Sequence, residues 1–176
     1  QPISPTNQPV TLHYQVSDNL SPSERITVSG DNSPYGAEGN YLVTLIACDE
    51  ANNTATVTTA FVIDLTPPHL VIEPIPSPTN HSVTLAWTVT DNHSQNIHVT
   101  GDESPYNAEG EYAVHLRAVD EAGNETIATV AFVIDKTPPV IVGLTTTPKI
   151  FSPDENGVDD QTEIGFTFAD DRLMYP

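Results

Sequence analysis

Oxygen is the ligand atom this sequence offers most freely. Twenty-four aspartates and glutamates stand against five lysines and arginines, a formal charge of −19. The densest acidic group runs from Ser152 to Glu163. With Ser152 as position 1, Asp154, Asn156, Gly157, Asp160 and Glu163 fall at positions 3, 5, 6, 9 and 12, the spacing with which an EF-hand-type loop gathers oxygens around a calcium ion. Serine is a weaker first ligand than aspartate and no helices flank the loop, so an acidic turn ahead of a strand is the competing reading. Other chemistry finds little footing. Histidines 13, 69, 81, 93, 98 and 115 lack any paired zinc spacing. The single cysteine, Cys48, excludes an intrachain disulfide and reads as a small hydrophobe. No nucleophile elbow, phosphate loop or dinucleotide fingerprint is present, so the chain is expected not to be an enzyme. The acidic excess would repel nucleic acid and anionic membrane surfaces, and no apolar run is long enough for insertion into a bilayer.

The elements that would position these carboxylates are set by an internal repeat. AFVIDLTPP, starting at Ala60, returns as AFVIDKTPP at Ala131, 71 residues later. The same offset relates ITVSG at Ile26 to IHVTG at Ile97, Ser33-Pro34-Tyr35 to Ser104-Pro105-Tyr106, Ala37-Glu38-Gly39 to Ala108-Glu109-Gly110, and Asp49-Glu50-Ala51 to Asp120-Glu121-Ala122. Upstream, SPTN at Ser4 and SPTN at Ser77 stand 73 apart, so a variable surface loop lies between Asp18 and Ile26. Apolar residues alternate along Val10, Leu12, Tyr14 and Val16, along Tyr41, Val43, Leu45 and Ala47, and along the matching positions Val83 to Val89 and Tyr112 to Ala118. Period two in short strands, turn clusters at close intervals and no sustained helical period predict an all-β fold built of two-sheet antiparallel sandwiches. Each repeat ends at a Pro-Pro pair that fixes φ twice and removes two donors, so a strand must stop there. Expected modules are 1–66, lacking its first strand, 67–138, and an incomplete third at 139–176.

The pattern Gly110-Glu111-Tyr112, then Asp120-Glu121-Ala122-Gly123-Asn124, then Phe132 to Pro139 resembles the bacterial immunoglobulin-like repeats carried in tandem by secreted and surface proteins. The resemblance covers 1–139 and implies a linear array of immunoglobulin-like sandwiches, with Tyr41 and Tyr112 as tyrosine corners. On that template strand A of module two is 69–73, B is 83–91, C is 97–101, F is 112–120 and G is 124–135. The antibody-type disulfide is absent, and the aromatic core residue, Tyr14 or Trp87, falls on strand B. Phe151 to Asp171 is similar to the start of FlgD-like and gliding-motility C-terminal immunoglobulin-like modules, though Asp154, Glu155 and Asn156 depart from their pattern.

The template brings the linker into a module to the end where its B–C and F–G loops lie. Asp64, Asp91 and Asp120 would meet there, with Asn92 and Glu121 adjacent. The next junction would repeat the scheme with Asp135 and Asp170, and Asp18 and Asp49 would face a module ahead of the first. Converging carboxylates repel unless a cation sits among them, and Ca2+ suits such oxygens; aspartates capping their own turns are the competing reading. On the outward face of strand F, Leu42, Thr44, Ile46 and Cys48 replace the more polar Ala113, His115, Arg117 and Val119, and the first set is an expected partner interface. Tyr35 and Tyr106 are expected to plug the sandwich ends. No signal peptide or anchor is evident, so the chain is expected to be part of something longer. Together these features predict a noncatalytic extracellular spacer, stalk or adhesin segment whose partners are its neighbouring modules. Two alternatives are a filament subunit that self-associates by strand donation and a carbohydrate-binding accessory module of a secreted hydrolase.

Overall fold

The computed structural model describes residues 4–150, 152–158 and 160–170. Phe151 and Asp159 of the acidic loop, and Asp171 at the end of the motif, lie outside the described residues. The described residues form β-strands and loops with one 3-10 turn, Ser23–Arg25, in the variable loop. The strands are β1 (Thr27–Ser29), β2 (Gly39–Cys48), β3 (Thr54–Ile63), β4 (His69–Ile72), β5 (Trp87–Thr90), β6 (His98–Thr100), β7 (Gly110–Val119), β8 (Glu125–Ile134), β9 (Val140–Thr147) and β10 (Glu163–Ala169). They assemble into a β1-β2-β3 sheet, a β4-β5 pair, a β6-β7-β8 sheet and a β9-β10 pair. The β1–β2, β2–β3, β4–β5, β6–β7 and β9–β10 pairings are antiparallel.

The repeat is visible in the backbone. β1-β2-β3 and β6-β7-β8 have the same order, and Thr27↔Cys48 in one answers His98↔Val119 in the other. Ser4-Pro5 and Ser77-Pro78 are cis, as are Ser33-Pro34 and Ser104-Pro105. Gly30 and Gly101 share a φ of 97°, and a Cβ there would collide with the carbonyl oxygens of Thr44 and His115. Glycine at the end of ITVSG and IHVTG is therefore dictated by close backbone approach.

Packing divides the chain into two compact units. The first is drawn from Gln1–Pro74, Leu85–Glu103 and Ala113–Val130. Its core includes Val10, Val43, Leu45, Phe61 and Ile63, with Leu12, Val28, Tyr35 and Tyr41 packed against them. Leu70, Leu85, Val114, Leu116 and Ala118 are also buried in this unit. Tyr41 donates its hydroxyl to the Ala37 carbonyl at 2.8 Å and stacks on Phe61, with Tyr35 edge-on to both. The second unit is drawn from Ile75–Thr84, Ser104–Tyr112 and Ala131–Pro176. There Tyr112 donates to the Ala108 carbonyl and stacks on Phe132, with Tyr106 edge-on to both rings. Both tyrosine corners form, and the two SPY tyrosines pack into aromatic clusters. β9 and β10 are exposed along their whole length.

One sequence expectation is corrected. Val10 to Val16 alternate as a strand should, yet the described backbone makes only an isolated bridge, Val10↔Tyr35, in that stretch. The counterpart in the second repeat, β5, is a strand because β4 pairs with it, in the register Leu70↔Val89 and Ile72↔Trp87. An alternating segment without a neighbour to complete its ladder is not a strand.

Candidate functional site

Asp64 follows β3, where the Pro-Pro pair forces the chain out of the sheet. Asp91 follows β5, and Asp120 follows β7. All three belong to the first packing unit. One carboxylate oxygen from each lies within 4.8 Å of the other two, and among the described residues this is the one such group of three or more acidic, histidine or cysteine side chains. Asp64 is fully buried and Asp120 nearly so.

Each aspartate also performs a local structural task. Asp91 Oδ1 accepts the backbone N–H groups of His93 and Ser94 at 2.9 and 2.7 Å. Asp120 accepts Asn124 N at Oδ1 and Asn124 Nδ2 at Oδ2, closing the β7–β8 turn. Asp64 accepts Thr66 N at Oδ1 and the Ser94 hydroxyl at Oδ2, 3.2 and 3.1 Å. These bonds leave Asp91 Oδ2 buried with no partner among the described residues. Burial pushes the Asp64 carboxyl above its ordinary 3.8, a rise that the Ser94 and Thr66 bonds oppose and the charges of Asp91 and Asp120 reinforce. Two unit charges about 4 Å apart near a protein surface interact by roughly 4 kcal/mol. Three carboxylates so placed therefore favour either a proton or a cation. The donor set fits a hard divalent ion: all oxygen, three negative charges and one unsatisfied buried oxygen.

Around this cluster the linker Asp64-Leu65-Thr66 is held from two sides. From the first repeat, Glu38 accepts Leu65 N at 3.3 Å and the Thr66 hydroxyl at 2.7 Å through Oε2. Its Oε1 accepts Asn92 Nδ2 at 2.5 Å and lies 3.6 Å from His93 Nε2. The Thr66 hydroxyl is the main cause that holds the Glu38 carboxyl below its ordinary 4.5. From the second repeat, Asn124 Nδ2 donates to the Asp64 carbonyl at 2.9 Å and to the Thr66 carbonyl at 3.4 Å, and Ser94 Oγ in turn accepts Glu121 N.

The second packing unit contains a related clamp. Glu109, the repeat of Glu38, accepts Lys136 N and Thr137 N at Oε1, both 3.2 Å, and the Thr137 hydroxyl at Oε2. The Thr137 hydroxyl chiefly lowers the Glu109 carboxyl's pKa. Asp135 is raised, first by desolvation, with the Glu109 side chain and the charge of Asp170 adding to it. Asp135 and Asp170 are thus electrostatic neighbours.

The acidic loop is arranged differently. Asn156 donates to both oxygens of Asp154, and Gly157 N donates to Asp160 Oδ2 at 2.6 Å. Asp160 Oδ1 is buried without a partner among the described residues, and Glu163 opens β10 opposite Thr147. Asp154, Asp160 and Glu163 do not converge as the three junction aspartates do.

On the outward face of β2, Leu42 is 76% exposed and Ile46 41%, Thr44 shares a hydroxyl contact with Thr58, and Cys48 is half-buried. On β7 the matching face carries Arg117 paired with Glu125 at 2.6 Å and His115 bonded to Thr129. Trp87 is half-buried and donates its indole N–H to Asp102.

Sequence reasoning placed the three aspartates and missed the residues that bind the linkers: Glu38, Ser94 and Asn124 at Asp64-Leu65-Thr66, and Glu109 at Lys136-Thr137. A signal was present in Glu38 and Glu109, which recur inside Ala-Glu-Gly at the 71-residue offset although no strand pattern needs an acid there. Asn92 and Asn124 also begin Asn-x-Ser/Thr sequons, and both amide nitrogens are committed to these contacts.

Residues 77–136 match the bacterial Ig-like domain family. With the all-β architecture, this supports an immunoglobulin-like domain in that stretch. No curated protein matches the chain. Among solved structures, the fibronectin(III)-like modules of Clostridium thermocellum CbhA align with 68% of this chain and 82% of that one, at 15% identity and a TM-score of 0.33.

Proposed function

We propose that this chain is a noncatalytic spacer segment of a secreted or surface-exposed protein, built from modules at 1–66, 67–138 and 139–176, whose first junction is braced and calcium-loaded. The observation that carries this reading is the linker Asp64-Leu65-Thr66, bonded by Glu38 on one side and by Asn124 and Ser94 on the other, beside three carboxylates within 4.8 Å. A free joint needs none of these bonds; a joint that transmits orientation does. Ca2+ would draw on Asp64, Asp91 and Asp120, supply the charge those groups lack, and bind the linker to both turns at once. At the next junction Asp135 and Asp170 are the corresponding ligands. Residues 139–176 begin a further Ig-like module of the FlgD-like type: β9 follows Thr137-Pro138-Pro139 as β4 follows Thr66-Pro67-Pro68, and each takes the next strand antiparallel. The acidic loop, with Asp154, Asn156, Asp160 and Glu163, is a second calcium candidate, and Leu42, Thr44, Ile46 and Cys48 form the face offered to a partner.

A thermal melt with and without chelator tests the calcium brace. At free calcium a hundred times its dissociation constant, binding stabilises the folded state by about 2.7 kcal/mol, which should raise the midpoint by about 5 °C or more. Identical melting with excess calcium and with chelator would remove calcium from the proposal.

A further inference from the structure

Among the described residues the buried polar side chains are Asp64, Asp120 and Ser94, the last 4% exposed. All three sit at the first junction, and Ser94 is bonded to the segment of every member of the aspartate trio. Its backbone N–H donates to Asp91 Oδ1 at 2.7 Å, its hydroxyl donates to Asp64 Oδ2 at 3.1 Å, and its Oγ accepts the N–H of Glu121, the neighbour of Asp120, at 3.3 Å. A serine hydroxyl has one proton to give. With Glu121 N–H on a lone pair of Oγ, that proton goes to Asp64.

The residues just ahead of Ser94 turn to the first repeat as well. Asn92 Nδ2 donates to Glu38 Oε1, and His93 Nε2 lies 3.6 Å from the same oxygen. Glu38 in turn accepts Leu65 N and the Thr66 hydroxyl. The turn does not need the side chains of Asn92 and Ser94 for its own shape. Asp91 Oδ1 makes it by accepting His93 N and Ser94 N, as Asp18 Oδ1 accepts Leu20 N and Ser21 N in the first repeat. The amide of Asn92 and the hydroxyl of Ser94 are spent on the linker instead.

We infer that Asp91-Asn92-His93-Ser94 is a linker-reading turn, in which Asn92 recognises Glu38, Ser94 recognises Asp64, and Ser94 is the positioning residue that holds Asp64 between the turns of Asp91 and Asp120. The partner this surface fits is the end of a repeat: an aspartate ahead of Leu-Thr-Pro-Pro, flanked by the glutamate of that repeat's own Ala-Glu-Gly loop. The inference rests on the braced junction proposed above and not on calcium, since every bond in it joins two protein groups. Alanine at 94 would leave Asp64 Oδ2 buried without its donor and Glu121 N without its acceptor. Its effect should therefore appear in the linker and in the β7–β8 turn, both remote from residue 94 in sequence.

The test is amide exchange on the intact chain in chelator, comparing wild type, Ser94→Ala and Asn92→Ala, each with its melting checked. Ser94→Ala should speed exchange about tenfold at Thr66 and Glu121 together, while Leu45 and Leu116 in the sheets keep their protection. Asn92→Ala, at an exposed position, should speed exchange at Leu65 and leave Glu121 unchanged. Should Ser94→Ala lose its fold, Asn92→Ala still decides whether the turn reads the linker. Acceleration confined to His93 and Ser94, with Leu65, Thr66 and Glu121 at wild-type rates, would overturn the inference, because the two side chains would then only shape their own turn. A melt of the wild type with and without calcium keeps the two readings apart: no calcium effect removes the ion from the junction, while the rates in chelator still decide the role of Ser94.

Discussion

Glu38 makes more contacts across the first linker than any single aspartate. Its carboxylate meets Leu65 N, the Thr66 hydroxyl and Asn92 Nδ2 at once. Replacing it by alanine should leave the sheets intact and release the linker, so amide exchange at Leu65 and Thr66 should accelerate at least tenfold with little change elsewhere. Unchanged exchange there would show that Asn124 and Ser94 hold the linker without it. The two acids respond to pH in opposite senses. Glu38 is held below its ordinary 4.5, so the stability it lends is present above that value and fades as pH falls through its lower folded value. Asp64 is raised above 3.8, so without a cation its ionisation costs stability as pH climbs through that window. With calcium bound the Asp64 anion is what the ion requires. The calcium-dependent rise in melting midpoint should therefore shrink as pH is lowered into the range where Asp64 takes up its proton, and a rise that is flat from neutral pH to below 4 would rule out Asp64 as a ligand.

At the scale of strands and turns, how much could be read depended on whether a feature is local. The alternation along β2 and β7, the Gly-x-Tyr corners and the Pro-Pro stops are fixed by period and by φ, and all were legible. The meeting of Asp64, Asp91 and Asp120 was legible too, because each closes a strand and the template brings those strand ends together. The clamp was not, since whether Glu38 turns toward Thr66 depends on the path of the Ser33-to-Gly39 loop rather than on any period. Nor did alternation from Val10 to Val16 make a strand, because a ladder needs a neighbour. Two substitutions test the element-level reasoning. Tyr112→Phe removes the hydroxyl bond to the Ala108 carbonyl and keeps the stacking on Phe132, and should cost about 1 kcal/mol. Gly101→Ala forces a Cβ against the His115 carbonyl at a positive φ and should cost more than Tyr112→Phe in a denaturant titration. A harmless Gly101→Ala would mean that the β6–β7 approach is looser than described.

For the molecule as a whole, 24 carboxylates against five cationic side chains make divalent ions the natural counter-charge. Most of these acids are exposed and need no partner; in the junction trio Asp64 and Asp120 are buried, and the buried Oδ2 of Asp91 has no partner among the described residues. That contrast separates a specific site from general charge screening, which magnesium or sodium at matched ionic strength would reproduce. Calorimetric titration of calcium into the intact chain, beside Asp91→Asn with its melting checked, separates them directly. The wild-type chain should take up at least one calcium ion that Asp91→Asn does not, against a background of excess magnesium. Equal calcium uptake by the two chains would mean that the three carboxylates hold a proton rather than an ion, and that hydrogen bonds alone brace the junction.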